Sequence, residues 1–534
     1  LALSHSTSVR AARILHGSGI TMECDMMQKG RAWQGSSRRR WLLARGFLAP
    51  RGLSVLPVLP IAAVLLALPA APTSARQTDQ ATATSARQGA SDQDAKSTAT
   101  TQSPADGEIE EITVVASRLK LMGTAATASQ GVVSTVELTL LPAYRPAQLV
   151  ETVPGLVATV HSGEGKASQY MMRGYNLDHG DDFAFSVAGM PINEPTHAHG
   201  QGYSDLNFMI PEIVQGIDYT KGTYYAADGD FASVGSAHIS YADTIPGRIL
   251  LSSGGSGSKA YDRVLATGSH GLGRGNLLGA LDVQHYDGPW VNPDDQRKVS
   301  SVLRYSVDQD NGNSYSVTGM LYHDTWNATT DQPERAISQG LIDRFGSLDP
   351  SDGGYAQRGS LSGQYHAMLG MGQLDVTGYA INNRLTLWND FTHYLTDPVH
   401  GDQEAQHENR VTVGGDVSYS WTANDKNDLV VGLHTRTDSN DVSRLPTENR
   451  VLLTPAQLAA VNYPASQVEQ DHVHLRSVAP YFQATTRWND WFRTVLGIRE
   501  DFMSGIDTGT NAGSASASLL EPKVNLIFRP ADST

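Results

Sequence analysis

The chain has 534 residues, a formal net charge of -15, 40% hydrophobic and 18% charged residues, and one cysteine. It is long enough for several domains, too polar for a bundle of membrane helices, and too acidic to offer the basic patches that displace counterions from nucleic-acid phosphates. The lone Cys24 excludes an internal disulfide framework and a paired-cysteine zinc site.

Residues 1–75 read as an N-terminal extension and export signal. The first 21 residues carry no apolar pattern and no methionine, so Met22, Met26 and Met27 are the candidate starts. Arg38, Arg39, Arg40 and Arg45 precede an apolar stretch from Leu53 to Ala71, which contains three prolines and leads to Thr73-Ser74-Ala75. Basic, then apolar, then small residues is the order of a secretory signal peptide, with removal expected near Ala75. A retained membrane anchor is the alternative; the prolines and the polar tract that follows disfavour it. Cys24 precedes the cleavage point, so the mature chain is expected to lack a thiol.

Residues 76–107 are Ala, Thr, Ser, Gln and Asp with hardly any large apolar side chain, and cannot bury enough surface to offset ordering entropy. They are expected to form a disordered linker. In residues 108–118 an acidic start gives way to Ile112, Thr113, Val114, Val115 and Ala116. A short β-prone run after such a linker suits addition to the edge of a partner's sheet; taken alone it is equally the first strand of a domain.

Residues 119–245 are rich in turn signals: Leu149-Val150-Glu151-Thr152-Val153-Pro154-Gly155-Leu156, Met172-Arg173-Gly174, Ala188-Gly189-Met190-Pro191, Ile210-Pro211 and Lys221-Gly222. Between Asn193 and Tyr203, His197 and His199 stand close to Glu194 in a loop containing Pro and Gly, while His161, His179, Asp181 and Asp182 lie in loops able to reach the same face. Neutral imidazoles with carboxylates suit Zn, Cu, Ni or Fe, so a metal or metal chelate is the candidate ligand. The plainer reading makes these histidines hydrogen-bonded residues packed against a surrounding wall.

Residues 246–534 read as twelve alternating strands, near 248–256, 260–269, 275–287, 297–308, 314–325, 357–369, 373–391, 405–420, 428–439, 472–488, 491–503 and 517–530. Every second connection is short, and most of the others are long, with Trp326 to Ala356 and Asn440 to Asp471 the longest. In the hairpin around Asn489-Asp490, Val478, Pro480, Phe482, Ala484, Trp488, Phe492, Leu496 and Ile498 face one way, and Arg493, Arg499 and Asp501 the other. One apolar face, one charged face and asymmetric connections fit a transmembrane β-barrel with lipid outside and a polar lumen. A soluble β-sandwich also alternates, but has no reason to gather its long loops at one end.

The motifs of residues 109–245, in this order and spacing, resemble the plug domain of TonB-dependent outer-membrane receptors, and the strands after them resemble the start of that family's barrel. Ala188 in place of an acid and Thr223 in place of a proline are departures. The resemblance implies a mainly β fold: a small α+β plug in residues 119–245 followed by an incomplete antiparallel outer-membrane barrel in 246–534, twelve strands against about 22. The expected activity is energy-coupled uptake of a scarce nutrient, an iron-siderophore or other metal chelate, with cobalamin, haem or carbohydrate as alternatives. The expected partners are the TonB-ExbB-ExbD inner-membrane complex at Ile112 to Ala116, outer-membrane lipid and an extracellular ligand, in the outer membrane of a Gram-negative bacterium. No resident cofactor is expected. No His-Glu-x-x-His, Gly-x-Ser-x-Gly or phosphate loop is present, so no enzyme activity is expected. A barrel enzyme, passive porin or adhesin leaves residues 109–245 unexplained. A barrel that stops after twelve strands would leave two edges unpaired, which reads as a C-terminal truncation.

Overall fold

The computed structural model describes residues 129–529 apart from 142–143, 257–258 and 461–467. The export signal, the linker and the coupling segment Ile112 to Ala116 lie outside those residues.

In chain order the inner body contains β1 (Gln130–Ser134), β2 (Leu156–Thr159), β3 (Gln169–Met172), β4 (Tyr175–Asn176), β5 (Phe183–Val187), β6 (Met190–Pro191), β7 (Val214–Thr220) and β8 (Gly235–Tyr241). One sheet has the order β1-β7-β8-β5-β6, with β5 parallel to β8; a second has the order β2-β3-β4. Alternation in β5 sends Phe183, Phe185 and Val187 into a core shared with Tyr170, Met172, Met209, Ile210 and Ile213. Each such side chain contributes about 1.5–3 kcal/mol by leaving water.

Two of the sequence motifs prove to be hairpin turns. Arg173 (φ 51°) and Gly174 (φ 86°) join β3 to β4, and Ala188 (φ 50°) and Gly189 (φ 80°) join β5 to β6. Two positive φ values in a two-residue loop are the type I′ requirement, because that turn matches the strand twist. Gly189 has a second reason to lack a side chain: a Cβ there would meet Thr377 Cγ2 at 2.8 Å and Gln364 Nε2 at 2.9 Å.

Around this body runs the outer sheet: β9 (Arg248–Ser256), β10 (Lys259–Leu272), β11 (Gly275–Tyr286), β12 (Gln296–Asp308), β13 (Ser314–Asn327), β14 (Gly353–Leu369), β15 (Gly372–Asp390), β16 (Gln403–Asn424), β17 (Asn427–Glu448), β18 (Val451–Leu452), β19 (Glu469–Asn489), β20 (Phe492–Asp507) and β21 (Gly513–Phe528). Neighbours pair antiparallel in sequence order from β9 to β21, with the short β18 attached to β17 alone, and among the described residues β9 and β21 stay at opposite edges, so the sheet is open. Ile249, Val478, Phe482, Leu496, Ile498 and Leu526 are exposed on its outer face, while Arg263, Asp282, Arg304, Arg410, Asp438, Arg499 and Lys523 are buried on its inner face. Among the described residues no helix is long and apolar enough to cross a membrane.

The strand order agrees with the parity reading, but several strands are longer than expected. β17 continues to Glu448 and β19 begins at Glu469, so the span from Asn440 to Asp471 is not one long loop. Cross-strand pairing there persists through Asn440↔Val473 and Asp441↔His472, because polar residues on both faces sustain a ladder as well as apolar ones do. The last strand ends at Phe528 rather than near residue 530.

Inner body and sheet are joined by charge. Arg263 on β10 holds Glu212 through two hydrogen bonds of 2.6 and 2.9 Å, Arg304 on β12 holds Asp243 at 2.9 Å, and Lys523 on β21 donates to the Tyr225 carbonyl at 2.9 Å. Lys221 N–H donates to the Ser129 carbonyl at 2.7 Å, and Asn525 Nδ2 donates to the neighbouring Tyr224 carbonyl at 2.7 Å, three residues from the Phe492↔Phe528 pair beside a short connection. The chain therefore enters the inner body at the short-connection end.

Candidate functional site

The histidines gather at the opposite end, where the inner body meets the start of β16. Strand parity turns Gln406, Glu408 and Arg410 inward, all buried, while His407 between them is exposed. Arg410 Nε donates to Glu408 Oε1 at 2.7 Å and Nη1 to Asp438 Oδ1 at 3.0 Å; its Nη2 reaches Thr196 in the inner-body loop. Burying a guanidinium is tolerable only with such partners.

Glu194, His197 and Glu408 form the first cluster, all buried, with His197 Nε2 lying 3.6 Å from Glu194 Oε2 and 3.5 Å from Glu408 Oε2. The His197 ring stacks on Tyr203 with centroids 4.0 Å apart, and its Nδ1 accepts the His199 backbone N–H at 3.1 Å. An accepting Nδ1 places the proton of the neutral ring on Nε2, pointing at the two carboxylates. That tautomer suits a carboxylate neighbour and leaves no lone pair for a metal. Burial, and then the nearby Glu408, push the Glu194 carboxyl up to about 7, whereas burial pushes the His197 ring down to about 4. The adjoining cavity, of about 30 Å³, is lined by Glu194, His197, Asp205, Arg358, Asn383 and Glu408 and has room for a single water or ion.

His161, His179 and His199 form the second cluster. His179 Nδ1 lies 3.1 Å from the Ser168 carbonyl, which only accepts, so Nδ1 carries the proton. His199 Nδ1 lies 2.8 Å from Gln406 Oε1, and the Gln406 amide is oriented by its own Nε2 donating to the Ala198 carbonyl at 3.3 Å, so this Nδ1 also donates. The two Nε2 atoms then face each other at 3.1 Å. His161 stacks on His179 with centroids 5.2 Å apart, and its Nε2 lies 3.4 Å from Lys166 Nζ. Burial, and then Lys166, push the His179 ring down to about 3 and the His199 ring well below its ordinary value. Burial also lowers the Lys166 ammonium to about 8.

Of the sequence candidates, His161, His179, His197, His199 and Glu194 come together at one end of the inner body. Asp181 and Asp182 are exposed outside both clusters, with Asp182 engaged by Ser233. Arg173, Gly174, Gly189 and Pro191 serve or flank turns; Gly155 (φ 90°), beside Pro154, accepts the Arg173 N–H at 3.1 Å, Pro211 begins a short helical turn, and Lys221-Gly222 ends β7 near the chain's entry. His407, His472 and His474 lie on strands; exposed His472 Nε2 and His474 Nε2 are 2.9 Å apart, with Asp441 at His472 Nδ1. Sequence reasoning missed Lys166, Ser168, Asp178, Tyr203, Gln406, Glu408 and Arg410. The last three stood in plain alternation, polar at every second position of a strand that faces a lumen. A further trio, His285, Asp287 and Asp295, lies beside the connection from β11 to β12.

Residues 123–236 match the TonB-dependent Receptor Plug Domain family. No curated protein matches the sequence. The fold is similar to that of the ferric citrate transporter FecA in its unliganded form, with a TM-score of 0.61 and 13% identity over 76% of this chain and 61% of that one. It is similar to the copper transporter OprC, with a TM-score of 0.56 and 15% identity over 77% and 62%. The ferric yersiniabactin uptake receptor FyuA from Yersinia pestis gives 0.53 and 14% over 76% and 62%. The chain thus spans about three fifths of the length of these structures.

Proposed function

Because the chain belongs to the TonB-dependent receptor family, we propose that it takes up a scarce metal, as an ion or chelate, across the outer membrane of a Gram-negative bacterium, driven by the TonB-ExbB-ExbD complex. The observation that carries this reading is the polarity of the plug. Its histidine clusters lie at the long-connection end, and the described chain enters at Ser129, at the short-connection end, downstream in sequence of the segment Ile112 to Ala116. In that arrangement a ligand is received on one side while a pull applied to the N-terminal segment acts on the other. An outer membrane holds no ATP, so transport through a plugged lumen needs work delivered by contact. Ion pairs such as Arg263–Glu212 and Arg304–Asp243 join plug to wall through polar contacts rather than apolar packing.

The test is deletion of residues 112–116 from the full-length protein, with ligand binding and cellular metal accumulation measured in parallel. Binding that persists while accumulation stops supports coupled uptake. Accumulation at the undeleted rate contradicts it.

A further inference from the structure

We propose that His179 Nε2 and His199 Nε2, 3.1 Å apart, form a two-imidazole binding site for a bare first-row transition-metal dication. The assignment of that ion as cargo rests on the uptake reading above; the site itself rests on hydrogen-bond geometry.

Both rings have their Nδ1 protons committed, one to the Ser168 carbonyl and one to Gln406 Oε1. Neither Nε2 of the neutral rings therefore carries a proton, and two lone pairs converge at 3.1 Å. Lone pairs so placed repel unless a cation lies between them. His179 is buried, and the Lys166 Nζ lies 3.4 Å from the His161 ring that stacks on it. A metal ion suits the geometry: two imidazole nitrogens on a tetrahedral dication at zinc-nitrogen distance stand about 3.3 Å apart. A ring Nδ1–H held by a carbonyl oxygen is the usual support for a metal-bound Nε2.

Asp178 puts an exposed carboxylate at the mouth of the site. Its Oδ1 is 3.7 Å from His179 Nε2, and its Oδ2 lies so close to Gly200 that a Cβ there would stand 3.1 Å away, which places the carboxylate against the residue following His199. Asp178 is exposed, His199 half-buried and His179 buried, so an ion reaches the imidazoles past the carboxylate. Two imidazoles leave positions for water and select a borderline dication such as Zn²⁺ or Co²⁺. The cavity lined by His199 and Gln406, of about 10 Å³, is too small to hold a chelate. His197, with its Nε2 protonated toward Glu194 and Glu408, is not part of this site.

The experiment titrates the full-length protein in detergent with Co²⁺, followed by visible absorption, then displaces it with Zn²⁺, and tests ferric citrate on the same preparation. One nitrogen-ligated Co²⁺ per chain is expected, weakened at least tenfold in His179→Gln and in His199→Gln, retained in His474→Gln, and tightened in Lys166→Met, where a competing positive charge is gone. The tightening keeps the proposal testable even if a histidine variant misfolds. Equal binding by His179→Gln, His199→Gln and wild type would overturn the site. Binding of ferric citrate without binding of either bare ion would also overturn it, while leaving coupled uptake of a chelate standing.

Discussion

Gln406 Oε1 accepts the His199 Nδ1 proton at 2.8 Å, joining strand β16 of the wall to a plug loop 207 residues earlier in the chain. This contact fixes the tautomer of a candidate metal ligand and tethers the plug loop to the wall. Ion capture and plug seating therefore share a residue.

Gln406→Leu should weaken Co²⁺ or Zn²⁺ binding by about 10–100-fold, the usual cost of losing an outer-shell partner. Gln406→Glu should retain binding, since a carboxylate accepts the same proton. Equal affinity in Gln406→Leu and wild type would remove the tautomer argument.

The hairpin turn at Ala188-Gly189 should respond oppositely to two small changes. Ala188→Gly relieves a left-handed conformation that costs an L-residue about 1–2 kcal/mol, so the denaturant midpoint of the purified receptor should rise. Gly189→Ala adds both that strain and contacts under 3 Å with Thr377 and Gln364, so the midpoint should fall. Shifts of the same sign in both variants would contradict the turn assignment.

Arg410 is nearly wholly buried and neutralises Glu408 and Asp438 while holding Thr196. Arg410→Met leaves the buried Glu408 without its guanidinium, while Asp438 keeps Arg436, at an expected cost of about 3–5 kcal/mol. Protease should then cut the loop around Thr196 sooner. Cutting at the wild-type rate would mean that this network does not hold the plug.

The Glu194–His197 pair gives a pH signature of known sign. Folded Glu194 holds its proton up to about 7, against 4.5 when unfolded, so between those values its contribution to stability falls as pH rises. Folded His197 stays neutral down to about 4, against 6.5 when unfolded, so its contribution rises with pH across that range. The two slopes oppose each other over their shared window. Glu194→Gln removes the falling one, so its stability relative to wild type should climb by up to about 1.4 kcal/mol per pH unit through the Glu194 window. Denaturant midpoints of both proteins at the two ends of that window check this; parallel profiles would contradict it.

Much of the fold was legible because membrane-type strands obey parity. Val478 and Phe482 against Arg499 and Asp501 declared two faces before any coordinates, and short turns such as Asn489-Asp490 fixed which strands pair. Strand length was less legible: parity weakens where polar residues occupy both faces, and β17 ran on past Asn440. The site was half visible. Histidines and acids in plug loops marked the region, but His179 and His199 are twenty residues apart and meet only through the plug fold. Their tautomers depend on Ser168 and Gln406, two neutral residues that no metal motif includes. His197 and Glu194, three residues apart in sequence, were the easier pair to nominate, and the His197 Nδ1 lone pair is taken by the His199 backbone N–H.

The most direct measurement is accumulation of radiolabelled zinc by cells carrying the full-length receptor, compared among wild type, His199→Gln and the deletion of residues 112–116. Energised accumulation in wild type alone is the predicted result. Equal accumulation in all three strains would contradict both the coupling segment and the metal cargo.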